Sequence, residues 1–492
     1  MGIVIRQSIK SSVISYSGVV IGAFSYLWLF PKYLDPAQIG IIQFVQSAAI
    51  TLASFLQFSG GSTLIRFIPH FGKKDSGAFF NFILVYILPF LALGLIIMLV
   101  LKDTLTRFYL EESPEIIPYF YHIFALIIIY VFITMIEAYA RANYRIVVPN
   151  FLKDILLRIL SILLVVAFLF EFITFRQLIL GLIINYVIVL LIGTGYLINL
   201  KVLTSRIIFP TVRKLKEMIS YSSFAVVGNA SNVVISRIDI LMIGSMLGMD
   251  FLGVFTITFF MGNIIEIPKR AITQIASPII SNHWKSNDLR GINELYGKAA
   301  INLLIVGSVI FLGIWMNVDF IFNVIPNSDI YETGKYVILF IALAKLIDMS
   351  AGPNSEIIVF SDYYKFNLLL SVILAVLLVI TNLIFIPLWG ITGAAFATFL
   401  SMILYNLIKY LYLKIKFKLD PFSKKYAVVI IIGVATYLIV QFINLSNIWW
   451  QTIIRSVSIV VLFGGLVYIF QLSSDLNNTI NTLFKQAKKR LF

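Results

Sequence analysis

The stretch NFILVYILPFLALGLIIMLVL, Asn81–Leu101, carries no charged side chain from end to end. Roughly 20 apolar residues in a helix cross the ~30 Å hydrocarbon core of a bilayer, and a helix satisfies its own backbone hydrogen bonds where lipid cannot. The run is continuous rather than alternating, which excludes the period-two pattern of an outer-membrane barrel. Phe120–Ile136 and Phe366–Leu388 have the same character. Comparable runs lie near 11–30, 40–65, 155–171, 177–199, 218–246, 252–277, 299–317, 336–358, 392–412, 427–443 and 452–471. The sequence therefore predicts an all-α membrane protein with about 14 transmembrane helices of the usual length.

Composition agrees with a lipid solvent. Of 492 residues, 60% are hydrophobic and 12% charged, against about a quarter charged in soluble domains. Cysteine is absent, which removes disulfides, thiol catalysis and zinc–thiolate sites. Ser11–Phe30 is followed by Pro31 and Lys32 rather than by a small-residue cleavage motif, and reads as a retained first helix.

Basic residues set the orientation. Alternate connections are rich in them: Arg66, Lys73 and Lys74, then Arg141, Arg145 and Lys153, then the series from Lys201 to Lys216, Lys285 to Lys298, Lys409 to Lys425, and Lys485 to Arg490. The opposite set holds Lys32, Lys102, Arg107, Arg176 and Lys335. The positive-inside rule then places both termini in the cytoplasm of a cell, that is inner or plasma, membrane. The net charge of +15 is spread over membrane-facing loops where anionic lipid is the counter-ion, so membrane lipids are the expected partner and nucleic acid is not. From Asp475 onward, Leu476, Ile480, Leu483, Phe484, Ala487 and Leu491 fall on one helical face, the pattern of an amphipathic helix lying on the leaflet.

The chain echoes itself. Ile14-Ser15-Tyr16-Ser17 opens the first span and Ile219-Ser220-Tyr221-Ser222 the seventh, and each repeat places a glycine, Gly40 and Gly253, near the start of its second helix. Six helices per repeat is an even number, so both copies share one orientation. This predicts two pseudo-symmetric six-helix bundles, 1–217 and 218–420, with a cavity between them suited to alternating access. Residues 421–492 add two further helices and the tail.

Ile386–Ser401, read as Pro387-x-x-Gly390-x-x-Gly393-Ala394-Ala395-x-Ala397-Thr398-x-x-Ser401, resembles a stretch of the polysaccharide flippases of the multidrug/oligosaccharidyl-lipid/polysaccharide exporter superfamily. Asp239 through Ile243-Gly244, Leu247-Gly248 and Gly253-Val254-Phe255 is similar to their seventh-to-eighth helix junction, with Phe255 in place of the usual tyrosine. The resemblance implies translocation of a polyprenyl-diphosphate-linked oligosaccharide for surface polysaccharides such as O-antigen and lipopolysaccharide, alongside other polysaccharide assembly proteins. The small residues of the first motif also let helix backbones approach closely, whatever the family.

Ionisable residues inside the spans are the site candidates, because each costs about 2.5–3.5 kcal/mol on insertion scales and usually faces a cavity or a partner. Glu266, Lys269 and Arg270 share one face of span eight, with Pro268 among them. Arg237 and Asp239 in span seven point to opposite sides. Lys345 and Asp348 stand one turn apart and are expected to pair with each other, as are Glu137 and Arg141. Gln57 aligns with Arg270 in the repeat. Two readings compete: Arg237, Lys269 and Arg270 line a cationic cavity for the substrate diphosphate, or these charges are structural pairs and interface snorkellers. Arg158 and Arg455, near span ends, read as snorkellers, and Glu356 has no assigned role.

Enzyme readings lack parts. Gly291–Lys298 superficially suggests a phosphate loop, but five residues separate its glycines and Ala299 stands where Ser or Thr would bind magnesium. His70, His122 and His283 are scattered, with no metal-ligand spacing and no cofactor implied. The alternatives to a flippase are a cation-coupled multidrug exporter of the same superfamily, a membrane-embedded glycosyltransferase or polymerase, and a scaffold without transport.

Overall fold

The computed structural model describes residues 2–200, 202, 204–478, 481 and 482. Among them no β-strand occurs, and the apolar runs have become helices: Pro36–Leu56, Gly72–Val100, Phe120–Ala142, Phe175–Asn199, Val212–Met246, Leu289–Met316 and Ile448–Ile469. Their ends follow local chemistry. Asp35 and Gln38 form a capping box before Pro36, and Thr174 and Gln177 form another, which satisfies backbone N–H groups that the first turn leaves unpaired. The helix Gly72–Val100 buries Phe79, Ile83 and Ile87 on one face and exposes Leu93, Ile96 and Val100. Exposed apolar side chains of this size are at home in lipid, and the chain is a multi-pass membrane protein.

Ten described helices are long and apolar enough to cross a membrane singly, and a bent pair, Ser328–Ser350 with Asn354–Phe360 at 49°, raises this to eleven. The count of fourteen expected spans is not confirmed, and the differences fall at particular segments. Lys424–Val440 is 17 residues long. The segment after Ala142 is interrupted by a π-helical turn, Leu152–Leu156. The 54-residue helix Tyr364–Phe417 runs through two expected spans with a break in its dihedrals at Trp389 and Gly390. Gly390 has φ 57° and ψ −136°, a conformation open to glycine because it has no Cβ. Just beyond it, a Cβ on Gly393 would fall on the Phe385 carbonyl. The expected apolar face of the tail, Ile480 to Leu491, lies outside the described residues apart from Leu476.

The chain forms two compact units, Met1–Ile257 and Thr258–Phe492. In the first, the repeat-related glycines meet: a Cβ on Gly40 would collide with the Met249 carbonyl, and one on Gly253 with the Pro36 carbonyl. In the second, Lys424–Val440 and Ile448–Ile469 pack on Leu289–Met316 through Val429, Ile432, Ile459, Phe463, Leu304 and Leu312.

Candidate functional site

The first unit holds a part-open cavity of about 230 Å³. The first span reaches it through Gly22, Ser25 and Tyr26, and Phe120–Ala142 through Tyr130 and Glu137. Residues 152–161 contribute Lys153, Asp154 and Arg158, Phe175–Asn199 contributes Tyr186, and Val212–Met246 contributes Arg237. Two π-helical turns, Ser25–Leu29 and Leu152–Leu156, supply several of these side chains. Such turns insert one residue into an α-helix and re-aim the side chains beyond it, and they recur at functional sites.

A stripe of small residues on the first span makes room for this. Ser15 donates to Asp154 Oδ2 at 2.7 Å, and a Cβ on Gly18 would lie 2.6 Å from the Asp154 carbonyl. The Arg158 guanidinium donates to the Gly18 carbonyl and occupies the space where a Gly22 side chain would be. Arg158 is therefore no snorkeller: its head is turned inward, into the cavity wall. Arg237 donates to Ser47 Oγ at 3.4 Å. Lys153 stands 3.8 Å from Glu137, so the expected Glu137–Arg141 pair gives way to a partner on another segment. Three cations and two carboxylates face one space, with the Tyr130 and Tyr186 rings 6.0 Å apart beside them.

The remaining candidates of the first unit lie elsewhere on the same helices. Asp239 is buried on Val212–Met246 and does not line the cavity, as its two-residue offset from Arg237 requires. Gln57 ends the helix Pro36–Leu56 and accepts from Thr134 Oγ1 at 3.1 Å.

In the second unit the structure gathers Glu266, Lys269, Arg270, Lys345 and Asp348 into one cluster. Lys345 Nζ meets Glu266 Oε2 at 2.6 Å, and Lys269 Nζ meets Asp348 Oδ2 at 2.6 Å and the Asp348 carbonyl at 3.0 Å. The expected Lys345–Asp348 pairing is thus replaced by two cross-helix pairs. The physical reason is register: both pairs span 79 residues, so two segments with the same i, i+3 charge spacing run side by side in one direction with opposite signs facing. Arg270 Nε lies 3.5 Å from Glu266 Oε1, with its side chain 64% exposed. Glu266 therefore serves two cations rather than one. A short 3₁₀ turn, Ile264–Glu266, precedes Pro268 and sets this face.

Sequence reasoning missed part of both clusters. Lys153 and Arg158 stood near span ends, where an inward and an outward cation look alike. Lys409 was grouped with the basic connection up to Lys425, yet it is 1% exposed and donates to Ser355 Oγ at 2.6 Å. Arg455, read as a snorkeller, is buried as well: it donates to the carbonyls of Ile443 at 3.0 Å and Met316 at 2.8 Å, and to Asn444 Oδ1 at 2.9 Å. It ties the penultimate connection to the end of Leu289–Met316, a structural role.

No family model matches the sequence. A curated protein of Haloferax volcanii, described as probable low-salt glycan biosynthesis flippase Agl15, is 23% identical over 197 residues, which cover 39% of this chain and 40% of that protein. The chain thus matches about two fifths of the length of that relative. Among solved structures, lipid II flippase MurJ in an inward closed conformation superposes with a TM-score of 0.77 at 13% identity, covering 94% of this chain and 98% of that one. A multidrug resistance MATE family transporter of the MOP superfamily, in an inward-facing conformation, gives 0.62 at 15% identity, covering 82% and 98%. The chain has the transporter fold that lipid II flippase MurJ and the MATE proteins share.

Proposed function

We propose that the protein is a flippase that carries a polyprenyl-diphosphate-linked oligosaccharide across the cell membrane by alternating access, for surface-polysaccharide assembly such as that of O-antigen and lipopolysaccharide. The observation that supports this most is the cavity of the first unit, where Lys153, Arg158 and Arg237 converge within a fold shared with a lipid II flippase. Guanidinium forks match pairs of phosphate oxygens, and a site screened from bulk water strengthens the attraction. Its volume of about 230 Å³ is below the ~300–1,000 Å³ of a drug-sized pocket, so it suits the diphosphate and the sugar next to it. Tyr130 and Tyr186 offer ring faces to that sugar.

In this reading the bundles 1–217 and 218–420 work by alternating access, residues 421–492 are accessory, and both termini are cytoplasmic. Lys269, Arg270, Glu266, Lys345, Asp348, Asp239 and Gln57 shape the transport path, and assembly proteins act before and after it. A second reading, a cation-coupled exporter of cationic drugs, draws on Glu137 and Asp154 in the same cavity and on the MATE likeness.

Proteoliposomes loaded with a labelled polyprenyl-diphosphate glycan, scored for leaflet, separate the two. Arg237→Ala and Arg158→Ala should each cut flipping at least about tenfold, given ~1.5–3 kcal/mol for a hydrogen bond to a charged group, while leaving the protein folded. Undiminished flipping in both variants overturns the cationic-cavity mechanism. Drug efflux without glycan flipping by the unmodified protein favours the exporter.

A further inference from the structure

Lys409 sits in the second unit with its side chain fully enclosed, and it enters none of the ion pairs formed among the described residues. Its Nζ donates to Ser355 Oγ at 2.6 Å and stands 3.6 Å from the centroid of the Tyr405 ring. A hydroxyl and a ring face have replaced the water shell of an ammonium.

That hydroxyl is the first member of a polarised chain. Ser355 Oγ donates to Asn354 Oδ1 at 3.3 Å, and Asn354 Nδ2 donates to Asn406 Oδ1 at 2.9 Å. Asn406 Nδ2 then donates to Asp348 Oδ1 at 3.4 Å, and the other oxygen of Asp348 is held by Lys269. Every donor in the sequence points the same way, from Lys409 toward Asp348. Asn354 and Ser355 stand just past the 49° bend of the broken helix pair, where Gly352 has φ 63°. The chain therefore runs across a break rather than along a continuous rod.

We propose that Lys409 is a proton-binding site of the second unit, and that its occupancy is transmitted along this chain to the Lys269–Asp348 pair to couple transport to a proton gradient. When the ammonium gives its proton to water, the neutral amine gains a lone pair and accepts from Ser355. The Ser355 hydroxyl then turns away from Asn354, freeing the Asn354 carbonyl oxygen, and the amide pair Asn354–Asn406 loses the donor that fixes its direction. Asp348 feels both this change and the loss of one positive charge nearby. The other charges that face Lys409 are Asp348, Lys269 and Glu356, and Glu356 Oε2 is buried without a hydrogen-bond partner among the described residues. Gain or loss of one proton at Lys409 thus changes the net charge of an enclosed cluster by one, and buried lysine is the basic side chain that can make that change, whereas arginine stays charged.

The proton site is independent of the cargo; the coupling step rests on the carrier reading above. Full-length protein in lipid nanodiscs is melted across about pH 6 to about pH 9, where one linked proton changes the unfolding equilibrium by up to about tenfold per pH unit. Lys409→Arg and Lys409→Met should each remove a one-proton component from that pH dependence, and Ser355→Ala should displace it along the pH axis without removing it. The arginine variant keeps the charge and most of the volume, so the comparison survives if methionine fails to fold. Superimposable curves for wild type and Lys409→Arg overturn the proton site. In proteoliposomes, flipping by the wild type should respond to an imposed pH gradient and flipping by Lys409→Arg should not; wild-type flipping indifferent to the gradient overturns the coupling. Absence of flipping by the wild type under every gradient refutes the function proposed above, while the melting comparison still decides the proton site.

Discussion

Lys269→Met should make the second unit easier to unfold by about 3 kcal/mol, the lower end of the ~3–5 kcal/mol seen when one partner of a buried ion pair is removed. Methionine keeps the length of the side chain and deletes its charge. The ammonium holds Asp348 at 2.6 Å, and the two side chains are 14% and 17% exposed. Once it is gone, the carboxylate keeps Asn406 at 3.4 Å and the charges of Lys409 and Lys345, neither in an ion pair with it, to offset its lost hydration. An exposed pair would be worth only ~0–1 kcal/mol, so the burial decides the size. About 3 kcal/mol is a factor of more than about a hundred in the equilibrium. Lys269→Met/Asp348→Leu, which removes both charges, should recover most of the loss, because replacing an enclosed pair by apolar groups is often neutral. Arg270→Gln is the control: 64% exposed and 3.5 Å from Glu266, it should cost less than about 1 kcal/mol. The assay is unfolding of the purified protein in mixed micelles by increasing detergent denaturant, followed by helicity. A single-variant loss below about 1 kcal/mol, or a double variant no more stable than the single, refutes the argument from burial.

Gly253→Ala should destabilise the first unit by about 1–3 kcal/mol or more, since the added Cβ would collide with the Pro36 carbonyl oxygen and main chain yields less than a side chain; the same titration reads it. Arg455→Met should cost about 3 kcal/mol by stranding three acceptors that an enclosed guanidinium now satisfies. Asp288 caps the helix Leu289–Met316 by accepting from the Gly291 N–H at 2.9 Å. That hydrogen bond above all, aided by His283, holds its carboxyl below the usual range. The stabilisation is therefore complete above the unfolded value of about 3.9 and is lost as pH falls through the lower folded value. Melting of the wild type should drop on the acid side of about pH 4, and Asp288→Ala should flatten that limb.

The membrane class was legible because Asn81–Leu101 and its counterparts need no partner to be read: length and apolarity decide. The limits of the reading appear where neighbours decide. Glu266 with Lys269, and Lys345 with Asp348, have identical three-residue spacing, so pairing within a helix and pairing across helices fit the sequence equally well; the parallel register settles it. Arg158, Arg455 and Lys409 all stand close to span ends, where a long cationic side chain can reach water or turn inward. Each turns inward because something specific waits there: two glycines for Arg158, three acceptors for Arg455, a serine and a ring for Lys409. Pro268, which has no N–H to donate to a preceding turn, stands just after the 3₁₀ turn Ile264–Glu266. The two π turns left no mark in hydrophobic pattern, since one surplus residue in a wholly apolar run alters no periodicity that polarity could reveal.

Those two turns give the cavity an unusual kind of fragility. One residue more than an α-turn rotates everything downstream by about 100°, so Arg158 meets Gly18 and Gly22 because of how many residues precede it, whatever their types. Point substitutions at Leu152, Ile155 or Leu156 would leave that count intact. Deleting a single residue there would let the backbone relax into ordinary helix, keep the span in the bilayer, and swing the guanidinium away toward another face.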